Sequence, residues 1–317
     1  MPTTPNGTVW TKRTATIDGV GETTFSCPDA KLSDPATPAV LFFHGAGGTS
    51  DQMVALPAFN GMRDMLLDEG LAIIEGDPLP IPFFGTGELR PGQQWCNAQS
   101  RAAYPAFHQY WAARHSAANE VRFLFGRSMG GLLALYLAAK HPSYADAAVI
   151  SNSGVSTWRV GNNTPPVGSV PPVAERSTSR HFTKEVLFGA WGVSDFASLD
   201  AALADADVLP ELWPEGVFAG REVAFQYGTA DTTAPWFPRG GEAVLERWSS
   251  SLGALSRVDR LEGGMHGGSP SSYQQVPEVR AFVREVLGEA PIPPAPTVYH
   301  RVIAHATAIG GKLHRLT

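Results

Sequence analysis

The sequence predicts an α/β fold, a mostly parallel twisted sheet with helices on both faces and a cap-like insertion. Three observations predict it. Short apolar runs alternate with segments of helical spacing through most of the 317 residues, and repeated strand–helix units of this kind build parallel sheets. Hydrophobic residues make up 43% of the chain and charged residues only 17%, as in a well-buried globular core. A Gly-Arg-Ser-Met-Gly sequence at 126–130 lies between a strand-like run and a strong helix-former.

The elements can be assigned in chain order. Residues 9–17 and 22–27 are typical of an antiparallel pair, with Asp18-Gly19 as the turn between them. Further strands are predicted at 39–43, 71–75, 121–125, 147–150, 221–227 and 257–261. Helices are predicted at 51–69, 98–118, 129–140, 240–251 and 276–287. Gly70 is a stop signal for the first helix, and Pro105 should kink or interrupt the second.

Two segments depart from the strand–helix rhythm. Residues 155–180 are rich in Pro, Ser, Thr and Gly, and short helical pieces follow them, so we expect 155–218 to form a cap or lid over the sheet. The Pro-rich run after residue 289 is typical of a stiff linker. The basic segment that ends the chain is either a tail packed on the body or a docking segment for an oligomer or assembly partner. The predicted organisation is one domain over 1–288 followed by a linker and tail over 289–317.

Composition and charge exclude several classes of protein. The net charge of -6 gives no support to nucleic-acid binding. No apolar run approaches the length of a membrane span, and residues 1–6 lack the apolar core of a signal peptide. A cytoplasmic protein or part of a larger particle is therefore expected. Cys27 and Cys96 are too few for a disulfide framework, and two reduced or semi-buried thiols are the simpler interpretation.

The Gly-Arg-Ser-Met-Gly sequence indicates a nucleophilic serine. With a strand before it and a helix after it, the G-x-S-x-G pattern predicts a nucleophile elbow that lifts the Ser128 hydroxyl above the sheet edge. Glycines are needed on either side because side chains there would collide with the neighbouring strand and helix. The helix N-terminus beneath the serine favours negative charge.

A serine hydroxyl needs a general base, and the base needs a carboxylate that orients it. In this kind of fold the acid and then the histidine follow the serine along the chain. Asp231 lies in Gly-Thr-Ala-Asp after one late strand, and His266 lies in Gly-Gly-Met-His-Gly-Gly after the next. Both loops are at carboxyl ends of strands, where open α/β sheets hold their sites. Asp259, inside a strand, is a weaker candidate. The histidines interpreted as surface or packing residues include His108, His115 and His141.

The sequence His-Gly-Ala-Gly-Gly at 44–48 follows a predicted strand and is typical of an oxyanion loop. We expect the backbone N–H groups of Ala46 and Met129 to be the two oxyanion donors, with His44 ordering the loop. A phosphate cradle is the alternative, but neither G-x-x-x-x-G-K-[ST] nor a helix-opening G-x-G-x-x-G is present. Glu/His pairs at zinc spacing are also missing from the sequence, so neither a metal nor a cofactor is expected.

Together these motifs resemble the α/β-hydrolases over residues 8–288, and in particular serine carboxylesterases such as feruloyl esterases, polyhydroxybutyrate depolymerases and esterase-D-like enzymes. The resemblance implies the α/β-hydrolase fold, a carboxylic ester substrate and an acyl-enzyme mechanism, with Ser128 as nucleophile, His266 as base and Asp231 as orienting acid. Acyltransferases and peptidases of the same fold share the Ser-Met-Gly-Gly sequence. An esterase-like structural component of a larger assembly, such as a viral tail, also remains open because of the long insertion and the tail.

Aromatic residues in predicted loops indicate where a substrate would bind. Trp95, Trp158 and Trp236 are the candidate substrate-binding residues, and Phe83-Phe84 lies in another loop near the expected top of the sheet. Such side chains suggest an apolar or sugar-stacking cleft, although each could be an ordinary packing residue. The expected substrate is a small-molecule or polymer-borne ester.

Overall fold

The central strands form where short apolar runs occur in the sequence, such as residues 39–43. The computed structural model describes residues 1–154, 184–231, 247–266 and 275–289. In these ranges the strands are β1 (Trp10–Ile17), β2 (Gly21–Pro28), β3 (Pro38–Phe43), β4 (Ala72–Pro78), β5 (Ile81–Pro82), β6 (Leu89–Arg90), β7 (Glu120–Arg127), β8 (Ala148–Asn152), β9 (Val223–Gly228) and β10 (Arg257–Leu261).

Eight of these strands form one sheet in the order β1-β2-β4-β3-β7-β8-β9-β10. The β1–β2 and β2–β4 pairs are antiparallel, and every other pair in the sheet is parallel. The strands β5 and β6 form a separate short antiparallel pair. Because the central strands are parallel, their carboxyl ends meet at one edge, and the loops that follow β3, β7, β9 and β10 come together there.

Helices cover both faces of this sheet. In the described ranges the helices are α1 (Gln52–Ala55), α2 (Asn60–Asp68), α3 (Ala98–Ala112), α4 (Met129–Lys140), α5 (Lys184–Trp191), α6 (Phe196–Asp205) and α7 (Val276–Val286). Alternate residues of the central strands enter different cores: Leu41 of β3 belongs to the core with α3 and α4, whereas Phe42 belongs to the core with α1, α2 and α7. A strand buried on both faces is apolar throughout, so the continuous runs in the sequence predicted its position.

Two predicted helices are wrong in extent. Residues 51–69 form α1, a short 3-10 turn (Pro57–Phe59) and α2 instead of one helix, because a proline has no N–H to continue a helical ladder. The helix predicted at 98–118 continues through Pro105 but ends at Ala112. His115 then adopts an extended conformation, and its ring stacks on Phe25 with centroids 4.9 Å apart.

The described part of the predicted cap, residues 184–218, contains α5 and α6, as the short helical pieces in the sequence suggested. The rest of the cap, most of the predicted helix 240–251 and the tail 290–317 lie outside the described residues. In the described ranges no single helix is long and apolar enough to cross a membrane, although α5 (from Glu185) and α6, bent by 43°, pass that test as a pair.

Both cysteines are free thiols buried in the protein, as the simpler interpretation of the sequence expected. Burial raises the pKa of Cys27 to about 12, and Asp29 adds to this effect. Burial also raises the pKa of Cys96 to about 12. Neither thiol is therefore set up as a thiolate nucleophile.

Candidate active site

Ser128 occupies a tight turn between β7 and α4. Its backbone is in an unusual conformation (φ 49°, ψ −119°), and its N–H donates to the Asn152 carbonyl at 3.2 Å. A Cβ on Gly126 would meet the backbone of Gly130, and a Cβ on Gly130 would meet the backbone of Phe43. Strand β7, helix α4 and strand β3 thus approach too closely for side chains at either glycine. This packing explains the glycines of the pentapeptide and holds the serine at the carboxyl edge of the sheet.

Asp231 and His266 lie in two loops that are joined by backbone hydrogen bonds. After β9, the Thr229 N–H donates to the Leu261 carbonyl at 3.0 Å, and the Ala230 N–H donates to the Gly264 carbonyl at 2.9 Å. The Asp231 side chain is fully buried, whereas the His266 side chain is 13% exposed. Backbone bonds between the loops thus fix the acid relative to the histidine.

A continuous hydrogen-bonded chain joins these residues. His266 Nδ1 lies 2.8 Å from Asp231 Oδ2, and His266 Nε2 lies 2.9 Å from Ser128 Oγ. A carboxylate only accepts hydrogen bonds, so Nδ1 is the donor, and in a neutral ring Nε2 is then the acceptor for the serine hydroxyl. The structure therefore brings together the three residues that the sequence predicted.

The competing residues have other partners. Asp259 lies 3.4 Å from the Arg257 guanidinium. His108 Nδ1 lies 3.1 Å from the Tyr144 hydroxyl, and its Nε2 lies 3.0 Å from the Ala118 carbonyl. Burial lowers the pKa of His108, so this ring is held neutral within the helical layer.

The loop at 44–48 lies directly against the serine. A Cβ built on Gly45 would be 3.3 Å from Ser128 Cβ. The N–H groups of Gly45, Gly47 and Gly48 donate to Gln52 Oε1, the Gly92 carbonyl and the Gly45 carbonyl, respectively. By contrast, the N–H groups of Ala46 and Met129 donate no hydrogen bond to the residues that the structure describes. Within the described ranges, the two predicted oxyanion donors are therefore available to a ligand. Met129 is the first residue of α4, where backbone N–H groups have no partner inside the helix.

Of the three predicted substrate-binding residues, the structure describes only Trp95. Trp95 is only 2% exposed, and its N–H donates to Met129 Sδ at 3.4 Å. The Trp95 carbonyl accepts a hydrogen bond from Trp191 Nε1 at 3.2 Å, so this residue links α5 to the start of α4. Trp158 and Trp236 lie outside the described residues, and their role stays a prediction.

A separate aromatic cleft lies between the β5–β6 hairpin and α5. It has a volume of about 520 Å³, and Phe83, Phe84 and Phe188 line it together with glycines 85, 87, 189 and 192. The rings of Phe84 and Phe188 meet edge to face, with centroids 5.5 Å apart. The paired phenylalanines noted in the sequence thus lie in a cleft, and a role in substrate binding stays a prediction.

Comparison with known proteins agrees with this architecture. The family model described as "Putative esterase" matches residues 108–235, a segment that contains Ser128 and Asp231. An S-formylglutathione hydrolase from Agrobacterium tumefaciens is similar in structure, with 16% identity, a TM-score of 0.60, and coverage of 88% of this chain and 95% of that chain. Carboxyl esterase 2 from Tuber melanosporum has 13% identity, a TM-score of 0.60, and coverage of 90% and 89%.

A puromycin-hydrolysing peptidase from Mycobacterium tuberculosis is also similar, with 18% identity and a TM-score of 0.60; the match covers 91% of this chain and 41% of that chain. No curated protein matches the sequence. The chain is therefore an α/β-hydrolase by fold. The family match over residues 108–235 and the structural relatives also confirm the predicted resemblance to esterases of this fold.

Proposed function

We propose that this protein is a serine esterase that cleaves carboxylic esters through an acyl-enzyme intermediate. In this proposal Ser128 is the nucleophile, His266 the general base and Asp231 the orienting acid. The observation that carries it is the chain of two short hydrogen bonds from the buried carboxylate to the serine hydroxyl. The N–H groups of Ala46 and Met129 lie beside the serine and donate no hydrogen bond within the described residues, which supports an oxyanion hole.

The first half of the reaction forms the acyl-enzyme. Ser128 Oγ attacks the ester carbonyl carbon while His266 Nε2 takes the hydroxyl proton, and the carbonyl oxygen becomes an oxyanion that accepts hydrogen bonds from the Ala46 and Met129 N–H groups. The bond to the alcohol oxygen then breaks. The proton on Nε2 passes to that oxygen, and the alcohol leaves with the acyl group bound to the serine.

The second half releases the acid. His266 Nε2 takes a proton from a water molecule, whose oxygen attacks the acyl carbon and forms a second oxyanion. The bond to Ser128 Oγ breaks, and the serine regains the proton from the imidazolium. Throughout, the Asp231 carboxylate accepts from Nδ1 and stabilises the imidazolium without being protonated itself.

Hydrolysis of short p-nitrophenyl esters tests the proposal. We expect wild-type activity to be lost in Ser128→Ala and a fluorophosphonate to label the wild-type protein only at Ser128. Ser116→Ala is the matched control, because this exposed serine precedes β7 at the opposite edge of the sheet. Hydrolysis that survives in Ser128→Ala, or labelling at another residue, would reject the proposal.

An amidase activity is a second candidate, favoured by the structural similarity to the puromycin-hydrolysing peptidase. The same nucleophile and base would serve, but the leaving amine requires full protonation by the histidine. A panel of matched p-nitrophenyl esters and peptide p-nitroanilides separates the two activities, and an added alcohol acceptor detects acyl transfer. If kcat/KM for an anilide equals or exceeds that for the matched ester, the peptidase assignment replaces esterase.

A further inference from the structure

The Asp77 carboxylate contacts both the loop at 44–48, which contains Ala46, and the loop that contains Gly92. Asp77, near the end of β4, places Oδ1 3.3 Å from His44 Nε2. The same oxygen accepts hydrogen bonds from the Gly92 N–H and from Gln94 Nε2, each at 3.2 Å. The Asp77 side chain is 15% exposed, and the His44 side chain only 2%. One oxygen therefore links the loop at 44–48 to the loop that contains Gly92 and Gln94.

These two loops are also in direct contact. The Gly47 N–H donates to the Gly92 carbonyl at 2.7 Å. Gly92 has φ +65°, and a Cβ there would lie 2.5 Å from the Gly48 carbonyl oxygen and 2.7 Å from the Gly48 nitrogen. No side chain fits between backbones at this distance. A displacement of one loop is therefore transmitted to the other.

His44 fixes the peptide plane that contains the Ala46 N–H. Its Nδ1 lies 2.8 Å from the Gly45 carbonyl oxygen, which also accepts from the Gly48 N–H at 2.9 Å. The Gly45 carbonyl and the Ala46 N–H belong to one planar peptide unit and point in opposite directions. Two hydrogen bonds on that carbonyl consequently set the direction of the Ala46 N–H.

The imidazole is itself held from the other side. His44 Nδ1 lies at hydrogen-bond distance from the Gly45 carbonyl oxygen, whereas Nε2 lies 3.3 Å from the Asp77 carboxylate in an ion-pair contact without a hydrogen bond. Removing the carboxylate would take away the charge beside His44 Nε2 and would release the Gly92 and Gln94 donors. Both effects act on the orientation of the same peptide unit.

We propose that Asp77 is a positioning residue that, through His44 and Gly92, aims the Ala46 N–H at the developing oxyanion. The inference rests on the proposed function, because it assumes that Ala46 is an oxyanion donor. Removing one such donor costs about 10²–10³-fold in kcat. Since the loss of Asp77 would misdirect the donor without deleting it, we expect Asp77→Ala to lower kcat by about 10- to 100-fold with little change in KM.

The test compares kcat, KM and the inhibition constant of a trifluoromethyl ketone in Asp77→Ala and Asp77→Asn. The serine oxygen adds to the ketone carbon and its proton passes to His266, so the adduct carries an oxyanion at the proposed hole. We expect the inhibition constant to rise by the factor by which kcat/KM falls, as transition-state stabilisation requires. Asp77→Asn keeps an acceptor oxygen and should lose less activity than Asp77→Ala.

Asp68→Asn is the matched control. This half-buried carboxylate ends α2, accepts hydrogen bonds from the Thr4 and Asn6 side chains at 2.6 Å, and lies at the opposite edge of the sheet. Its kinetics should stay within about twofold of wild type. Gly92→Ala reaches the same loop by steric contact and should reproduce the loss in kcat.

Unchanged kcat in Asp77→Ala, or a loss of kcat/KM with no change in inhibitor affinity, would overturn the inference. If Asp77→Ala fails to fold by circular dichroism, Asp77→Asn and Gly92→Ala decide the question by the same two measurements. Failure of the proposed function has a different signature, namely activity that survives in Ser128→Ala.

Discussion

Glu75→Gln should make the protein more stable at neutral pH. Glu75, in the middle of β4, is 1% exposed. Its Oε2 accepts from the Met53 N–H at 2.7 Å, and within the described residues its Oε1 has no hydrogen-bond partner. Burial, with a smaller contribution from Asp51, raises the pKa of this carboxyl well above its ordinary value of 4.5. Between pH 4.5 and this raised pKa the folded protein therefore holds a neutral acid, and a glutamine of the same shape can keep the bond to Met53.

The size of the effect follows from proton linkage. A raised carboxyl pKa contributes stability that is complete below pH 4.5 and is lost as pH rises towards the folded-state pKa. In that window the unfolded chain is ionised at Glu75 and the folded protein is not. The free energy of unfolding then falls by about 1.4 kcal/mol per pH unit relative to the variant. For a domain of this size, 1 kcal/mol corresponds to about 2–4 °C in Tm.

Thermal unfolding from pH 5 to pH 8 measures the difference in Tm between Glu75→Gln and wild type. We expect this difference to widen with pH in favour of the variant. Glu120→Gln is the control, since Glu120 is exposed and its ion pair with Arg122 lies at the surface. The difference in Tm between Glu120→Gln and wild type should change little from pH 5 to pH 8. A Glu75→Gln difference that stays constant or narrows as pH rises would refute the assignment of a buried neutral acid.

Three further predictions concern the site and the thiols. Asp231→Asn should lower kcat on a p-nitrophenyl ester by about 10²–10⁴-fold, because an amide can donate to His266 and reverse its tautomer; kcat within twofold of wild type would contradict the orienting role. Gly126→Ala should lower the free energy of unfolding by about 1–3 kcal/mol, since its Cβ would meet the backbone at the start of α4; denaturant unfolding with a wild-type midpoint would show that the turn can open. Ellman's reagent should leave Cys27 and Cys96 unmodified in the folded protein and react with two thiols after denaturation, since both are buried with pKa raised to about 12; rapid reaction of native protein would disprove their burial.

Much of the fold could be predicted because its strands are buried on two faces. The run at 39–43 is apolar without interruption, and the run at 121–125 is apolar except for Arg122. Each lies in the interior of the sheet. Helix ends were harder to predict. The break at Pro57 has a local cause, because proline lacks an N–H. The end at Ala112 is followed by the stacking of His115 on Phe25, a tertiary contact that local spacing does not encode.

The candidate site was predictable where chain order and glycine spacing constrain it. The pentapeptide around Ser128 requires glycines for backbone contact, and the order of Asp231 and His266 follows from the order in which strands join the sheet. Asp77 was missed. Its signal was weak, since one aspartate at the end of a strand has no spacing relation to His44 or Gly92, and the contact arises only because β3 and β4 are neighbours.

Buried polar side chains occur near the carboxyl edge of the sheet, whereas the rest of the central strands is mostly apolar. This contrast has a physical explanation. Asn152 Nδ2 donates to Gln226 Oε1 at 3.0 Å on the adjacent strand, and Gln226 Nε2 lies 3.4 Å from Asp259 Oδ2 on the next. Asn152 and Gln226 are each 1% exposed. Burying such side chains costs free energy unless their partners are correctly placed, so a row of them restricts β8, β9 and β10 to one relative arrangement at the height of the site. Apolar side chains would tolerate small shifts between strands. A reacting group misplaced by about 1 Å can lower the rate by about 10²-fold. A buried polar row that fixes the strands beneath the loops of Ser128, Asp231 and His266 would limit such displacements.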